Sequence, residues 1–324
     1  MKTATPGRKS ITGYLPIYLD SLRPDTVPEF DLFIDNGVSV VLYRSACLPF
    51  NDETRRELLE NNVSRLYVSG SDQRAYRTYL EGHLRLIVYD SSIKESVRAG
   101  IVYDSARYLM EDLFAKPTVG ANIRRSQELV ESTVGFVLTG RAAFETLLKV
   151  MSFDYSTYTH SVNVCALSLA LGQFTGIKDP AELKVLGTGA LLHDIGKTRI
   201  ADSILNKIEP LSRAEVELIH KHPEWGYDIV KDTDLVDQDS YHPILQHHER
   251  DNGTGYPRGM GGHEIHLYGK ISAIADVFDA MTTRRVYRSA VDAYPALKFM
   301  FADDDAFDRH LLEQFAKMLG PSGS

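Results

Sequence analysis

Hydrophobic and polar positions follow two different periods along this chain, and the change falls near Lys94. Before it the apolar runs are short and rich in β-branched residues. Val38 to Arg44 (VSVVLYR) and Ser64 to Val68 (SRLYV) each predict a strand, the second closed by Ser69-Gly70, and Gly13 to Leu22 contains an earlier one. Between these runs Asn51-Asp52-Glu53 opens a helical stretch that ends near Asn62. Strands interleaved with a helical pattern predict a small α/β module over residues 1–95. After Lys94 the pattern is helical throughout. One helix runs through Met110 and ends near Pro117; another runs from Asn122 to Leu138 and stops at Gly140. Residues 96–140 are therefore expected to be connecting helices. Phe144, Leu147, Leu148 and Met151 then recur at i, i+3, i+4 and i+7, one apolar helix face. Asp179-Pro180-Ala181-Glu182 supplies an N-cap, a proline at the first helical position and a glutamate at the third, and Ser212 with Glu215 repeats the capping-box pattern. Residues 141–324 are predicted to form an all-α bundle, which makes the chain α+β overall.

Composition narrows the function classes. A content of 43% hydrophobic and 25% charged residues is that of a globular chain and argues against disorder. The formal net charge of -8 argues against a partner that is a nucleic-acid polymer, since coating phosphates over a long tract needs a basic surface. A small phosphate ligand held by a few local cations is still compatible with it. No apolar run approaches the length of a membrane span and nothing resembles a secretory leader, so a cytoplasmic protein without a membrane partner is expected. The two cysteines, Cys47 and Cys165, are expected to be buried thiols rather than a disulfide.

The histidines carry the chemical signal. His160 shares a helix face with Val164, Leu167 and Leu171; His193-Asp194 ends the helix carrying Leu183, Leu186 and Ala190. His222 precedes Pro223 after the helix opened at Ser212, His247-His248 follows a segment opened by Pro243, and Asp276 lies on the stripe of Ile271, Ile274, Ala275 and Phe278. One inward histidine is ordinarily a hydrogen-bonded core residue. Five of them with two aspartates, on successive helices of one bundle, would leave desolvated charges uncompensated unless a cation shares the site. Imidazole and carboxylate without thiolate suit iron, manganese, zinc or nickel better than a structural zinc site built from cysteines.

These segments resemble, in order and spacing, the HD-GYP subclass of the HD phosphohydrolase superfamily. His193-Asp194-Ile195-Gly196-Lys197 matches its HD-x-G-K element, His247 to Pro257 reads H-H-E-R-D-N-G-T-G-Y-P, and Asp276 to Arg288 reads D-V-F-D-A-M-T-T-R-R-V-Y-R. The resemblance covers Phe144 to Met318 and implies an HD-type helical bundle that hydrolyses a cyclic dinucleotide. Cyclic di-GMP is the implied substrate, linearised to pGpG and onward to GMP, with cyclic GMP-AMP as the nearest variant and a catalytically silent dinucleotide receptor as the rival. It implies two transition-metal ions, iron or manganese in first place and nickel or zinc as further fits. Asp194 would bridge them, with His160, His193 and Asp276 completing one sphere and His222, His247 and His248 the other. A hydroxide shared by the metals would attack phosphorus in line with the departing ribose 3′ oxygen. Lys197 would hold a phosphate oxygen or assist that leaving group, Arg285 and Arg288 would bind phosphate, and Tyr256 would stack on a guanine or meet its edge. Members with a third metal carry a glutamate where this chain has Ser156, so two metals are expected. The usual Asp-Gly of the long motif is Asn252-Gly253, and Arg284 and Val286 replace the commoner Asp and Pro of the last motif. Asn suits the turn before Gly, so the loop is expected to keep its shape, with Asp251 a candidate for restoring the missing charge. Glu249 is expected to orient a ligand histidine, and His83, His220, His242, His263, His266 and His310 to be structural. The N-terminal module is expected to regulate, and the connecting helices to couple it to the bundle or to pair two chains as a homodimer; signalling proteins are further candidate partners.

Overall fold

The computed structural model describes residues 13–117, 120–151, 157–283, 291–303 and 305–320. The chain forms two compact units, and the division between them falls between Ile101 and Val102.

The first unit holds β1 (Tyr14–Tyr18), β2 (Leu32–Asp35), β3 (Val40–Arg44), α1 (Asp52–Glu60), β4 (Arg65–Ser69) and α2 (Gln73–Tyr89). The four strands form one sheet in the order β1-β4-β2-β3, and every pairing is antiparallel. Inward positions of the strands (Ile17, Leu32, Leu66, Val68) are buried, as are Tyr76, Leu80, Leu84 and Ile87, which recur at i, i+4, i+8 and i+11 along α2. Asn51 caps α1 by accepting from the Thr54 amide at 2.9 Å. The α+β organisation expected from the sequence is present, with β2 and α2 as additional elements. Cys47 is exposed, contrary to expectation, whereas Cys165 is buried in the second unit; both are free thiols.

α3 (Glu95–Ala115) carries the chain across the division. The second unit continues with α4 (Gly120–Val137), α5 (Arg141–Val150), α6 (Thr157–Phe174), α7 (Pro180–Leu192), α8 (Asp202–Leu205), α9 (Arg213–Ile219), α10 (His222–Lys231), α11 (Tyr241–Gln246), α12 (Leu267–Thr282), α13 (Ala293–Ala302) and α14 (Arg309–Leu319). α6 is its central helix, buried from Thr159 to Gly172 and packed on α7 and α12. α4 packs on α7 and adds Ile123, Val130 and Phe136 to the same core. Among the described residues no helix is long and apolar enough to cross a membrane.

Candidate metal centre

Helix ends, more than helix middles, build the site. α6 presents His160 near its start. α7 stops at Leu192 and hands His193 and Asp194 to a 3-10 turn over Ile195–Arg199. A Cβ at Gly196 would overlap the His222 carbonyl oxygen, so a glycine there lets this turn lie directly on the start of α10. His222 opens α10 with Pro223 behind it, His247-His248 follows α11, and α12 presents Asp276. All seven side chains gather in one centre; His160, His193, Asp194, His222 and His247 are at most 1% exposed.

Hydrogen bonds fix which ring nitrogens face inward. Nδ1 of His193, His222 and His247 lies 2.8, 2.7 and 2.9 Å from the carbonyl oxygens of Ala190, Ile219 and Pro243. A carbonyl only accepts, so these Nδ1 atoms carry the hydrogen and each Nε2 turns a lone pair inward. His222 Nε2 and His247 Nε2 consequently face each other at 3.1 Å, acceptor to acceptor. His160 donates from Nδ1 to Asp279 Oδ2 at 2.7 Å, leaving its Nε2 3.0 Å from Asp276 Oδ1. Asp194 divides its oxygens: Oδ1 is 3.3 Å from His222 Nε2 and 3.8 Å from His247 Nε2, and Oδ2 is 3.4 Å from His193 Nε2 and 3.8 Å from His160 Nε2. Lys197 Nζ donates to Oδ2 at 2.6 Å. Asp194 Oδ1 and His193 Nε2 are buried with no hydrogen-bond partner among the described residues. The donor atoms form two groups, Asp194 with His222, His247 and His248, and His160 with His193 and Asp276, each with its atoms within 4.8 Å of one another. Convergent lone pairs and carboxylates without hydrogens between them fit divalent cations and little else, because buried acceptors facing one another are costly when nothing positive lies between them.

Burial and charge set the matching protonation states. Burial pushes His222, His247 and His248 below the ordinary histidine range. Burial alone would raise Asp194 and Asp276, yet both are held well below the usual carboxylate range, Asp194 chiefly by the Lys197 ammonium beside it. Neutral imidazoles with ionised carboxylates are the forms that bind metal. In the metal-free protein the same burial makes stability depend on pH. A histidine whose folded pKa is depressed contributes stability above its unfolded value of about 6.5, and that contribution is lost as the pH falls below it. His222, His247 and His248 should each remove up to about 1.4 kcal/mol per pH unit below 6.5. Urea midpoints of the metal-free protein should therefore fall steeply between pH 7.5 and 5.5. Equal midpoints at the two values would show that these rings protonate freely in the folded state.

A cleft of about 410 Å³ opens beside the centre and is lined in part by Lys197, His222, His248, Arg250, Tyr256 and Phe299. Tyr256 stacks on His220 (ring centroids 3.8 Å apart, 11° between planes) and on His248 (4.5 Å, 26°). Two rings so near the Tyr256 centroid cannot share one face, so both faces are covered. In this arrangement the two imidazoles occupy both faces of Tyr256, and its edge and hydroxyl are what it presents to the cleft. Burial raises the hydroxyl pKa, which keeps it a donor. His220 thus supports a cleft residue, a role that spacing alone did not signal. Glu249 also departs from expectation: its carboxylate accepts from the Arg258 and Met260 amides at 2.8 and 2.9 Å, pinning the loop after Pro257, and among the described residues it bonds no histidine. Asn252 keeps the turn as expected, its Oδ1 accepting from the Thr254 amide at 3.1 Å before Gly253 at φ +75°. Asp251 is paired with Lys270 at 2.9 Å, so its charge is already committed there. Ser156, Arg284, Arg285, Val286 and Arg288 lie outside the described residues.

The helical fold and the convergent His/Asp cluster make a candidate metal centre, and comparison gives the family of the domain that carries it. Residues 143–311, just over half the chain, match the HD domain model, and the chain belongs to that family. It is 33% identical over 232 residues to a cyclic di-GMP phosphodiesterase of Pseudomonas aeruginosa, a match covering 71% of this chain and 56% of the relative. It is 37% identical over 137 residues to a cyclic di-GMP phosphodiesterase of Thermotoga maritima (42% of this chain, 37% of the relative). It is 36% identical over 151 residues to a 3′3′-cGAMP-specific phosphodiesterase of Vibrio cholerae (45% of this chain, 32% of the relative). The chain thus spans about a third to just over half the length of these relatives. Among solved structures, an HDG"Y"P protein from Bdellovibrio bacteriovorus aligns over 94% of this chain and 99% of its own, with a TM-score of 0.65 and 24% identity, a likeness of fold.

Proposed function

We propose that this chain is a metal-dependent phosphodiesterase of the HD-GYP subclass that hydrolyses a cyclic dinucleotide, cyclic di-GMP first, to linear pGpG and onward to GMP. The observation that carries this reading is the division of Asp194 between two clusters of inward-facing imidazole lone pairs. His160, His193 and Asp276 would hold one cation, His222, His247 and His248 the other, with Asp194 shared between them. Iron or manganese is the proposed occupant, as the family resemblance implies, and an imidazole-carboxylate donor set accommodates either. Two cations held there would supply an acidified water as nucleophile near neutral pH and would neutralise charge on the phosphate. The chain does the rest. Lys197 Nζ, at the mouth of the centre, donates to a phosphate oxygen or gives its proton to the ribose 3′ oxygen as the P–O bond breaks. The Tyr256 hydroxyl and edge meet the ligand in the cleft, and Arg285 and Arg288, three apart in sequence, grip its phosphates. Cytoplasmic action and regulation by the N-terminal unit, with a homodimer or a signalling partner as the means, complete the proposal.

Metal analysis of full-length protein loaded anaerobically with iron or manganese tests the centre. Two equivalents per chain are expected, because the motif position that carries a glutamate in members with a third metal is Ser156 in this sequence; a reproducible third equivalent contradicts this. Arg285→Ala and Arg288→Ala should leave metal content unchanged and weaken dinucleotide binding by about 10–100-fold, the loss of roughly 1.5–3 kcal/mol per charge-assisted contact. Unchanged affinity in the double variant would mark these arginines as solvated.

A further inference from the structure

His160 does not end the polar network on its side of the centre. Its Nδ1 donates to Asp279 Oδ2 at 2.7 Å, and the other oxygen of Asp279 accepts from Asn163 Nδ2 at 2.8 Å and from Thr283 Oγ1 at 3.0 Å. The carbonyl of Asn163 in turn accepts from the Tyr103 hydroxyl on α3 at 3.0 Å. His160, Asn163 and Asp279 are at most 2% exposed and Tyr103 is 5% exposed, so water competes poorly for these bonds.

The network has a direction. Tyr103 donates to the Asn163 carbonyl, which turns the amide NH₂ toward Asp279; Asp279 as an acceptor then requires the hydrogen of His160 to sit on Nδ1; and that leaves the Nε2 lone pair aimed at Asp276 and Asp194. Without the Tyr103 hydroxyl the Asn163 amide loses a partner that tells its oxygen from its nitrogen. The flipped amide would point a carbonyl at the Asp279 carboxylate.

We propose that Tyr103 is a positioning residue for the metal cluster of His160, His193 and Asp276, acting through Asn163 and Asp279 on the orientation and tautomer of His160. The inference rests on the metal-centre reading above and extends it to a helix that none of the sequence motifs touches. Because α3 carries the chain across the division between the units, a displacement of this helix would reach a metal ligand through side-chain hydrogen bonds alone.

The test uses full-length protein and Mn(II) as the probe, titrated against a competing chelator. His160→Ala identifies which of the two equivalents belongs to this cluster. Tyr103→Phe, which keeps the ring and removes the hydroxyl, should weaken that equivalent by about three- to tenfold, less than the roughly 10–100-fold that follows loss of a group bonded directly to a ligand. The other equivalent should keep its affinity. Asn163→Leu should cost more, and Tyr103→Phe added to Asn163→Leu should cost nothing further, since both act along one path. Tyr108→Phe, a buried tyrosine of the same helix, controls for generic loss of a hydroxyl and should leave both equivalents unchanged. Unaltered Mn(II) affinity in Tyr103→Phe, equal weakening in Tyr108→Phe, or full additivity in the double variant would each overturn the proposal. If wild type and His160→Ala bound Mn(II) alike, the metal-centre reading itself would fall, and this inference with it.

Discussion

Asp194→Ala should strip the protein of metal and lower hydrolysis by roughly 10⁴-fold or more, the scale seen when a group acting as part of a catalytic unit is removed. The expectation comes from geometry. One fully buried carboxylate turns Oδ1 to His222 and His247 and Oδ2 to His193 and His160, so its loss opens both clusters at once. It also leaves the Lys197 ammonium beside the centre without the carboxylate it pairs with at 2.6 Å, and an uncompensated cation there opposes the binding of others. Asp194→Asn, which keeps the volume, should behave almost as badly, since the amide nitrogen brings hydrogens where a cation must bind. Metal analysis and circular dichroism on both variants check this. A folded Asp194→Ala protein that held two metals and turned over at a near-native rate would refute the shared-ligand assignment.

Lys197→Ala should separate binding of metal from chemistry. Lys197 pairs with Asp194, yet it offers no lone pair when protonated and stands outside both donor groups. Its removal should leave two metals in place and cost about 10²–10⁴-fold in turnover, the usual size for a positioned proton donor. Single-turnover rates on metal-loaded protein would show it. Loss of metal together with activity would mean instead that Lys197 helps assemble the centre.

Much of the site was legible because helix periodicity and capping chemistry are local. Asp179 caps α7 by accepting from the Ala181 amide at 2.9 Å, and Ser212 and Glu215 bond reciprocally at the start of α9. Those caps fix where the helices carrying or preceding His193 and His222 begin, and spacing then places each histidine on an inward face. What spacing cannot give is the partner across a helix boundary. The covering of Tyr256 by His220 and His248, the grip of Glu249 on the Arg258 and Met260 amides, and the bond from His160 to Asp279 all join residues whose meeting depends on tertiary packing. The first unit was less legible for a related reason. β2 is only four residues long, with its pairing to β3 offset between Leu32 and Phe33, so its alternation is too short to read. The antiparallel pairing of β4 with β1 is likewise set by the fold and not by any local pattern.

The most direct test of the account is product analysis. Full-length protein, loaded anaerobically with iron or manganese to two equivalents, would be incubated with cyclic di-GMP and in parallel with 3′3′-cyclic GMP-AMP, and the nucleotides separated and weighed by mass spectrometry. The account predicts that cyclic di-GMP is opened to pGpG in multiple turnovers, faster than the mixed dinucleotide, and that a chelator stops the reaction. Protein carrying both metals that binds cyclic di-GMP and returns it intact would contradict it and make the chain a receptor.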